Sequence, residues 1–197
     1  MTEPTGLDAY ARTYLAEARD ALDAPYILEA TRRIVPLLLQ ARKDRRTVFF
    51  FGNGGSASTA SHFVTDISKV ATRDGARPIR CVGLTDNVPG LTALANDRDY
   101  SQIFSEQLRT LAEPGDVAVA ISGSGNSPNV LEAVRVARER GVATIGLTGM
   151  GGGKLKDLVD VPLIVPSKSM QHTEDMHVIV LHLVTAYLRD AGPTDDR

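Results

Sequence analysis

Leu7, Tyr10, Tyr14, Ala18 and Leu22 recur at three- and four-residue spacing, the stripe of an amphipathic helix. A second stripe, Ile27, Ile34, Leu37, Leu38 and Ala41, follows Pro25 and predicts another helix, which Pro36 should kink or break. From Thr47 the pattern changes to short β-branched or apolar runs: Thr47–Phe51, Ile79–Thr85, Val117–Ser122, Ala143–Thr148 and Val161–Val165. Helical patterns lie between several of them, at Ser56–Val70 and Ser127–Arg140, and a last one covers Met170–Arg189. Continuous apolar strands alternating with helices predict a parallel sheet buried on both faces. The expected fold is α/β: a five-stranded parallel sheet flanked by helices in three layers. Residues 1–45 are expected as a helical arm, 46–190 as one ligand-binding domain and 191–197 as a disordered tail.

The 197 residues suffice for one substantial core and are too few for two. Apolar residues at 43% and charged residues at 23% argue against a disordered chain. The formal charge of −2, from 22 Lys+Arg against 24 Asp+Glu, removes a global basic field, so no direct nucleic-acid partner is expected. Cys81 is the single cysteine and points to a reducing compartment. The N-terminus lacks the apolar block of a signal peptide, and the apolar stretch Val178–Val184 is far short of a membrane span. A soluble cytoplasmic protein without a membrane partner is the expectation.

Three strands run into small-residue corners. Gly52-Asn53-Gly54-Gly55-Ser56 follows the first, Ser122-Gly123-Ser124-Gly125-Asn126-Ser127 the third, and Thr148-Gly149-Met150-Gly151-Gly152-Gly153 the fourth. Ligands of open parallel sheets bind at the carboxyl ends of strands. Glycines admit a phosphate to the backbone, hydroxyls donate to it, and the next helix offers free N–H groups. Each corner is equally readable as a plain strand-to-helix turn with a serine cap. The second has more hydroxyl and amide groups than a turn needs. No G-x-x-x-x-G-K-[ST] or complete G-x-G-x-x-G occurs, so a small phosphorylated ligand fits better than ATP or NAD.

Of four histidines, His62 stands alone, while His172, His177 and His182 fall within eleven residues. His62 and Asp66, at i and i+4, share a helix face. Glu174 and His182, at i and i+8, are placed together on the last helix. Two helices that each present an imidazole and a carboxylate suit either a tetrahedral metal site or an acid/base pair. Solvated His–Asp contacts on helices are also common.

The segments GNGGSASTASHF, ALANDRDYSQIF, AISGSGNSPNVLEAV and GLTGMGGGKL resemble the sugar isomerase (SIS) domain, in its phosphoheptose isomerase branch, over nearly the whole chain. Members interconvert sedoheptulose 7-phosphate and an aldoheptose 7-phosphate. The resemblance implies that Ser122, Ser124 and Ser127 grip the sugar phosphate, with Gly123 where threonine is usual. It implies that Asn53, Gly54, Gly55 and Ser56 contact the sugar end, with Asn96 and Asp97 in the same pocket. It further implies homotetramers with interfacial sites. The family uses His, Glu, Gln and His on two helices, and some members bind zinc there. Here His62 and His182 match, Asp66 replaces Glu and Glu174 replaces Gln. The resemblance makes Asp66 the base and His182 its acid partner. It makes His62, Asp66, Glu174 and His182 the expected Zn2+ ligands, with Glu174 also near substrate.

Two other readings compete with catalysis. Thr85–Tyr100 resembles an SIS branch that binds the bacterial replication initiator without catalysis, and a phosphosugar-sensing scaffold is the third class. A binding module has no reason to gather the histidine–carboxylate set, which favours the isomerase.

Overall fold

The strand Thr47-Val-Phe-Phe-Phe-Gly52 sends Val48 and Phe50 to one face of a sheet and Phe49 and Phe51 to the other, all four at most 1% exposed. Such a strand needs cover on both sides, which a parallel sheet between helical layers supplies. A computed structural model describes residues 6–71 and 77–190. The expected tail, 191–197, lies outside the described residues.

The strands are β1 (Thr47–Gly52), β2 (Arg80–Gly83), β3 (Val117–Ile121), β4 (Ala143–Thr148) and β5 (Val161–Ile164). All pair in parallel in the order β2-β1-β3-β4-β5, with Val48 beside Val117 and Ile121 beside Leu147. The chain winds outward in opposite directions from β1 and β3. Between their carboxyl ends lies the crevice that this topology reserves for ligands.

The helices are α1 (Leu7–Leu22), α2 (Tyr26–Lys43), α3 (Gly55–Thr65), α4 (Val88–Asp97), α5 (Ser105–Leu111), α6 (Pro128–Glu139) and α7 (Met170–Asp190). Helices α2, α3 and α7 cover the face of Phe50 and Val119, while α5 and α6 cover that of Phe49 and Phe51. The segment expected as an arm therefore divides in two. Ile27, Ala30, Ile34, Leu38 and Ala41 of α2 belong to the core, whereas α1 buries only Ala21. Tyr14 ties α1 to α7, its ring centroid 4.1 Å from that of His172 and its hydroxyl donating to Asp175 at 3.4 Å.

Pro36 neither breaks nor ends α2, which runs on to Lys43. Pro36 and Arg32 both lie on the exposed side, where water can serve the carbonyl that loses its partner. Helices α4 and α5 were not expected. Pro89 and Gly90 obscure the first, whose cap is Asn87 accepting from the Gly90 N–H at 3.1 Å, and the second has only seven residues. Among the described residues no helix is long and apolar enough to cross a membrane.

His177 on α7 is 1% exposed and donates from Nε2 to the Thr148 carbonyl at 3.2 Å, at the end of β4. Burial lowers its pKa to about 4. The unfolded chain therefore binds one more proton than the native one between about pH 6.5 and 4, so stability present above 6.5 is lost as pH falls. The cost at pH 4.5 is about 2–3 kcal/mol. Urea unfolding at pH 7.5 and 4.5 should show this loss in the wild type and not in His177→Gln. Equal losses in both chains would show that His177 is not its source.

Candidate active site

One constellation sits at the carboxyl edge of the sheet, and a second lies further along α3 and α7, the two helices that link them. The first is a cleft of about 310 Å³ between the loops that follow β1 and β3. Close approach of those strands requires Gly52, because a Cβ there would lie 2.7 Å from the Ile121 carbonyl oxygen. Asn53, Gly54, Gly55, Ser56, Ser122, Gly123, Ser124, Ser127 and Glu174 all line the cleft. Ser127 is the N-cap residue of α6, yet its side chain makes no capping bond. Its Oγ lies 3.1 Å from that of Ser122, and Ser124 Oγ accepts from the Asn126 N–H at 3.2 Å, which leaves the Ser124 proton to donate. Hydroxyls with a donor to spare beside a helix N-terminus suit an anionic group.

The loop after β4 is a buttress for this cleft. The Leu155 N–H donates to the Gly125 carbonyl at 3.0 Å, and the Lys154 N–H donates to Asn126 Oδ1 at 3.2 Å. Gly125 has φ +65°, and a Cβ on it would lie 2.1 Å from the Gly152 carbonyl oxygen. Gly125→Ala adds left-handed strain to a backbone clash and should cost at least about 3 kcal/mol. Urea unfolding decides this; a loss below about 1 kcal/mol would mean that the loops part freely.

Asn129 was missed by sequence reasoning. It is 1% exposed and exchanges amide hydrogen bonds with Asn53 at 2.9 and 2.8 Å, pinning the first glycine loop to α6. Tyr100 adds a third bond, its hydroxyl donating to Asn53 Oδ1 at 3.1 Å. An asparagine just after Ser-Pro was the available signal. Asn96 and Asp97 do not reach the cleft. They stand exposed at the end of α4 and bond to each other at 2.7 Å, because α4 turns its inner face, Leu91, Leu94 and Ala95, to the core.

Gly123, where the family resemblance leads one to expect threonine, has a structural partner. A Cβ on it would lie 2.3 Å from Met170 Sδ, so Met170 fills that space. Gly55 likewise makes room for Glu174, whose Oε1 would be 2.6 Å from a Cβ there.

The second constellation forms where α3 passes into a π-helical turn, Asp66–Val70. Such turns redirect side chains and recur at functional sites. Asp66 Oδ2 lies 3.5 Å from His62 Nε2 and 3.6 Å from His182 Nε2. The imidazoles meet edge to face at 5.0 Å, and the His182 ring lies 5.5 Å from that of buried Phe63. Both histidine side chains are about half exposed, at 46% and 50%, against 17% for the carboxylate between them. Ligand atoms of the three residues fall within 4.8 Å of one another. Glu174 does not join them, which corrects the expected four-residue set to three. Eight residues of α7, about 12 Å of axial rise, separate it from His182.

Residues 13–149 match the model of the SIS domain. A phosphoheptose isomerase from Rhodospirillum rubrum is 42% identical over 85% of this chain and 87% of its own. A protein from Thermoplasma acidophilum described as a probable phosphoheptose isomerase is 38% identical over 90% and 97%. The solved phosphoheptose isomerase of Neisseria gonorrhoeae superposes with a TM-score of 0.84 at 33% identity, covering 93% of this chain and 98% of its own. The chain belongs to the SIS domain family, in its phosphoheptose isomerase branch.

Proposed function

We propose that the chain is an aldose–ketose isomerase that converts sedoheptulose 7-phosphate to D-glycero-heptose 7-phosphate through a cis-enediol(ate). The observation that carries this reading is Asp66, held between two imidazoles on the helix that also borders the cleft. Gly55 at the cleft and His62 in the cluster lie on one face of α3, about 10 Å apart along its axis. A seven-carbon sugar extended from C1 to its phosphorus spans roughly the same distance. Phosphate in the cleft thus brings C1 and C2 to the cluster.

There Asp66 takes the proton from C1 while His182 donates one to the carbonyl oxygen on C2, giving the enediol. The imidazole then takes the O1 proton, and Asp66 returns its own to C2. Both histidines face Oδ2, which leaves Oδ1 for the carbon-bound proton.

The donor set suits a divalent cation. Ligands around zinc at about 2.1 Å lie about 3.4 Å apart, close to the His–Asp separations of 3.5 and 3.6 Å. His62, Asp66 and His182 would hold zinc, and since a His182 ring nitrogen engaged in that way could not donate a proton, the acid role of His182 belongs to the metal-free pair. When bound, zinc supplies Lewis-acid polarisation of the sugar carbonyl. Elemental analysis of purified protein should find the metal, and His182→Ala should lose it. Full activity in chelator would remove the metal and leave a bare acid/base pair.

The homotetramer belongs to the same proposal. Leu7, Tyr10 and Leu15 on α1 are 66–80% exposed, and Leu183, beside His182, is 41% exposed. Leu183 borders the cluster, and these exposed apolar side chains suit a second copy. A monomer by light scattering at micromolar concentration would remove it. The partly buried thiol of Cys81, its pKa pushed up to about 12 by desolvation, suits a cytoplasmic setting in which thiols stay reduced. NMR with sedoheptulose 7-phosphate, with and without zinc, tests the whole reading. Conversion is expected; binding without turnover would instead make the chain a scaffold or sensor.

A further inference from the structure

At the opposite edge of the sheet, where α2 ends and β1 and β2 begin, five arginines surround a cavity of about 310 Å³. Arg45 and Arg46 follow the end of α2, Arg77 lies on the approach to β2 and Arg80 opens it, and Arg42 is buried beneath them at 2% exposure. Among the described residues no carboxylate lines the cavity, and none pairs with Arg45, Arg46, Arg77 or Arg80. In a chain of net charge −2 this is a local concentration of positive charge. The length of β1, about 20 Å, separates it from the cleft.

Part of the cluster has a structural duty. Cations near a helix C-terminus offset its dipole, and Arg80 Nη1 donates to the Arg45 carbonyl at 3.3 Å. One guanidinium meets that need. Others are held in place at a cost. Arg45 has φ +56° in a glycine-type helix stop, closed by the Arg46 N–H donating to the Ala41 carbonyl at 2.8 Å. Arg46 leans on the Gly115 turn, its Nε 3.2 Å from where a Cβ would stand. Arg45, Arg46, Arg77 and Arg80, gathered around one cavity, repel one another unless an anion lies among them.

We propose that this cavity is a second anion site that takes a compact oligophosphate, either inorganic pyrophosphate or the phosphate chain of a nucleotide. Guanidinium groups bind phosphate oxygens in pairs, and several together match a diphosphate better than a single phosphate. The volume admits a small ligand. Among the described residues the lining has no aromatic ring on which a base could stack, so the phosphates are what is read. Nucleic acid is disfavoured because the net charge of the chain is −2.

Calorimetry with inorganic pyrophosphate, inorganic phosphate and ADP tests the site, at low and moderate salt. Three chains are needed: wild type, Arg45→Gly/Arg77→Ala, and Ser124→Ala/Ser127→Ala as a cleft control. Arg45→Gly relieves the left-handed strain and Arg77 is exposed, so the first variant should keep its melting temperature and its isomerase activity. Pyrophosphate should bind wild type and cleft control alike and the arginine variant at least about tenfold more weakly, with affinity falling as salt rises. ADP binding equal to pyrophosphate identifies the free oligophosphate as ligand; tighter ADP binding identifies a nucleotide. The proposal is overturned if pyrophosphate binding is lost in the cleft control and kept in the arginine variant, if millimolar pyrophosphate does not bind wild type, or if inorganic phosphate binds equally well.

Discussion

Asp66→Asn should lower kcat by about 10³-fold or more while KM changes by less than about threefold, since a positioned general base contributes roughly 10²–10⁴. The amide keeps the shape of the carboxylate and cannot accept the carbon-bound proton. Substrate affinity should survive because the phosphate cleft is about three turns away along α3. Folding should survive as well, because Asp66 lies on the rim, over a core that Phe63 and Ile67 complete. Steady-state kinetics and a thermal melt decide the matter together. A variant with a tenth or more of wild-type kcat would take the base role away from Asp66. A large rise in KM alone would make it a substrate-binding group. Glu at this position restores the residue expected from family resemblance and should regain activity that Asn loses, since it recovers the proton acceptor.

The sheet was legible because its strands are apolar on both faces. Phe49, Phe50 and Phe51 can be satisfied only between two layers, and Val117–Ile121 and Ala143–Thr148 say the same. What was illegible lay between β2 and β3. Helix α4 buries no residue completely and carries Pro89 and Gly90, so its apolar period is too weak to read. Pro36 misled because its cost depends on whether the orphaned carbonyl meets water or core, and a linear pattern does not carry that information.

The site shows the same division. The serines and glycines of the cleft follow strands directly, and strand ends are where a parallel sheet opens. His62 and Asp66 are one turn apart, so their meeting was implied by helix geometry alone. Glu174 and His182 share a helix and yet serve different constellations, because two turns of rise outweigh a shared face. Asn53 and Asn129 are 76 positions apart, and only the adjacency of β1 and β3 joins them. Gly123 looked like a lost contact until Met170 was found in the space that a side chain there would occupy.

Ser124→Ala with Ser127→Ala should raise KM by roughly 10²–10⁴-fold, since two hydrogen bonds to a charged group are worth about 3–6 kcal/mol together. The choice of serines matters. Ser122 is 4% exposed, and removing it would confuse binding with stability. Ser127 makes no capping bond to α6, so its loss leaves the helix start intact. Ser124 gives up one turn contact, to the Asn126 N–H at 3.2 Å. Ser122 Oγ loses its neighbour at 3.1 Å, a cost of about 1 kcal/mol, small beside the binding loss. The N-terminus of α6 and the backbone of the glycine loop remain, so weak phosphosugar binding should persist. Because phosphate binding also holds C1 and C2 against Asp66, kcat should fall too, by less than KM rises. Titration with the sugar phosphate and with its dephosphorylated counterpart separates the contributions. The double variant should bind the two with nearly equal weakness, whereas wild type should prefer the phosphorylated form strongly. If the double variant keeps both its preference and a KM within about threefold of wild type, the phosphate does not sit against these hydroxyls.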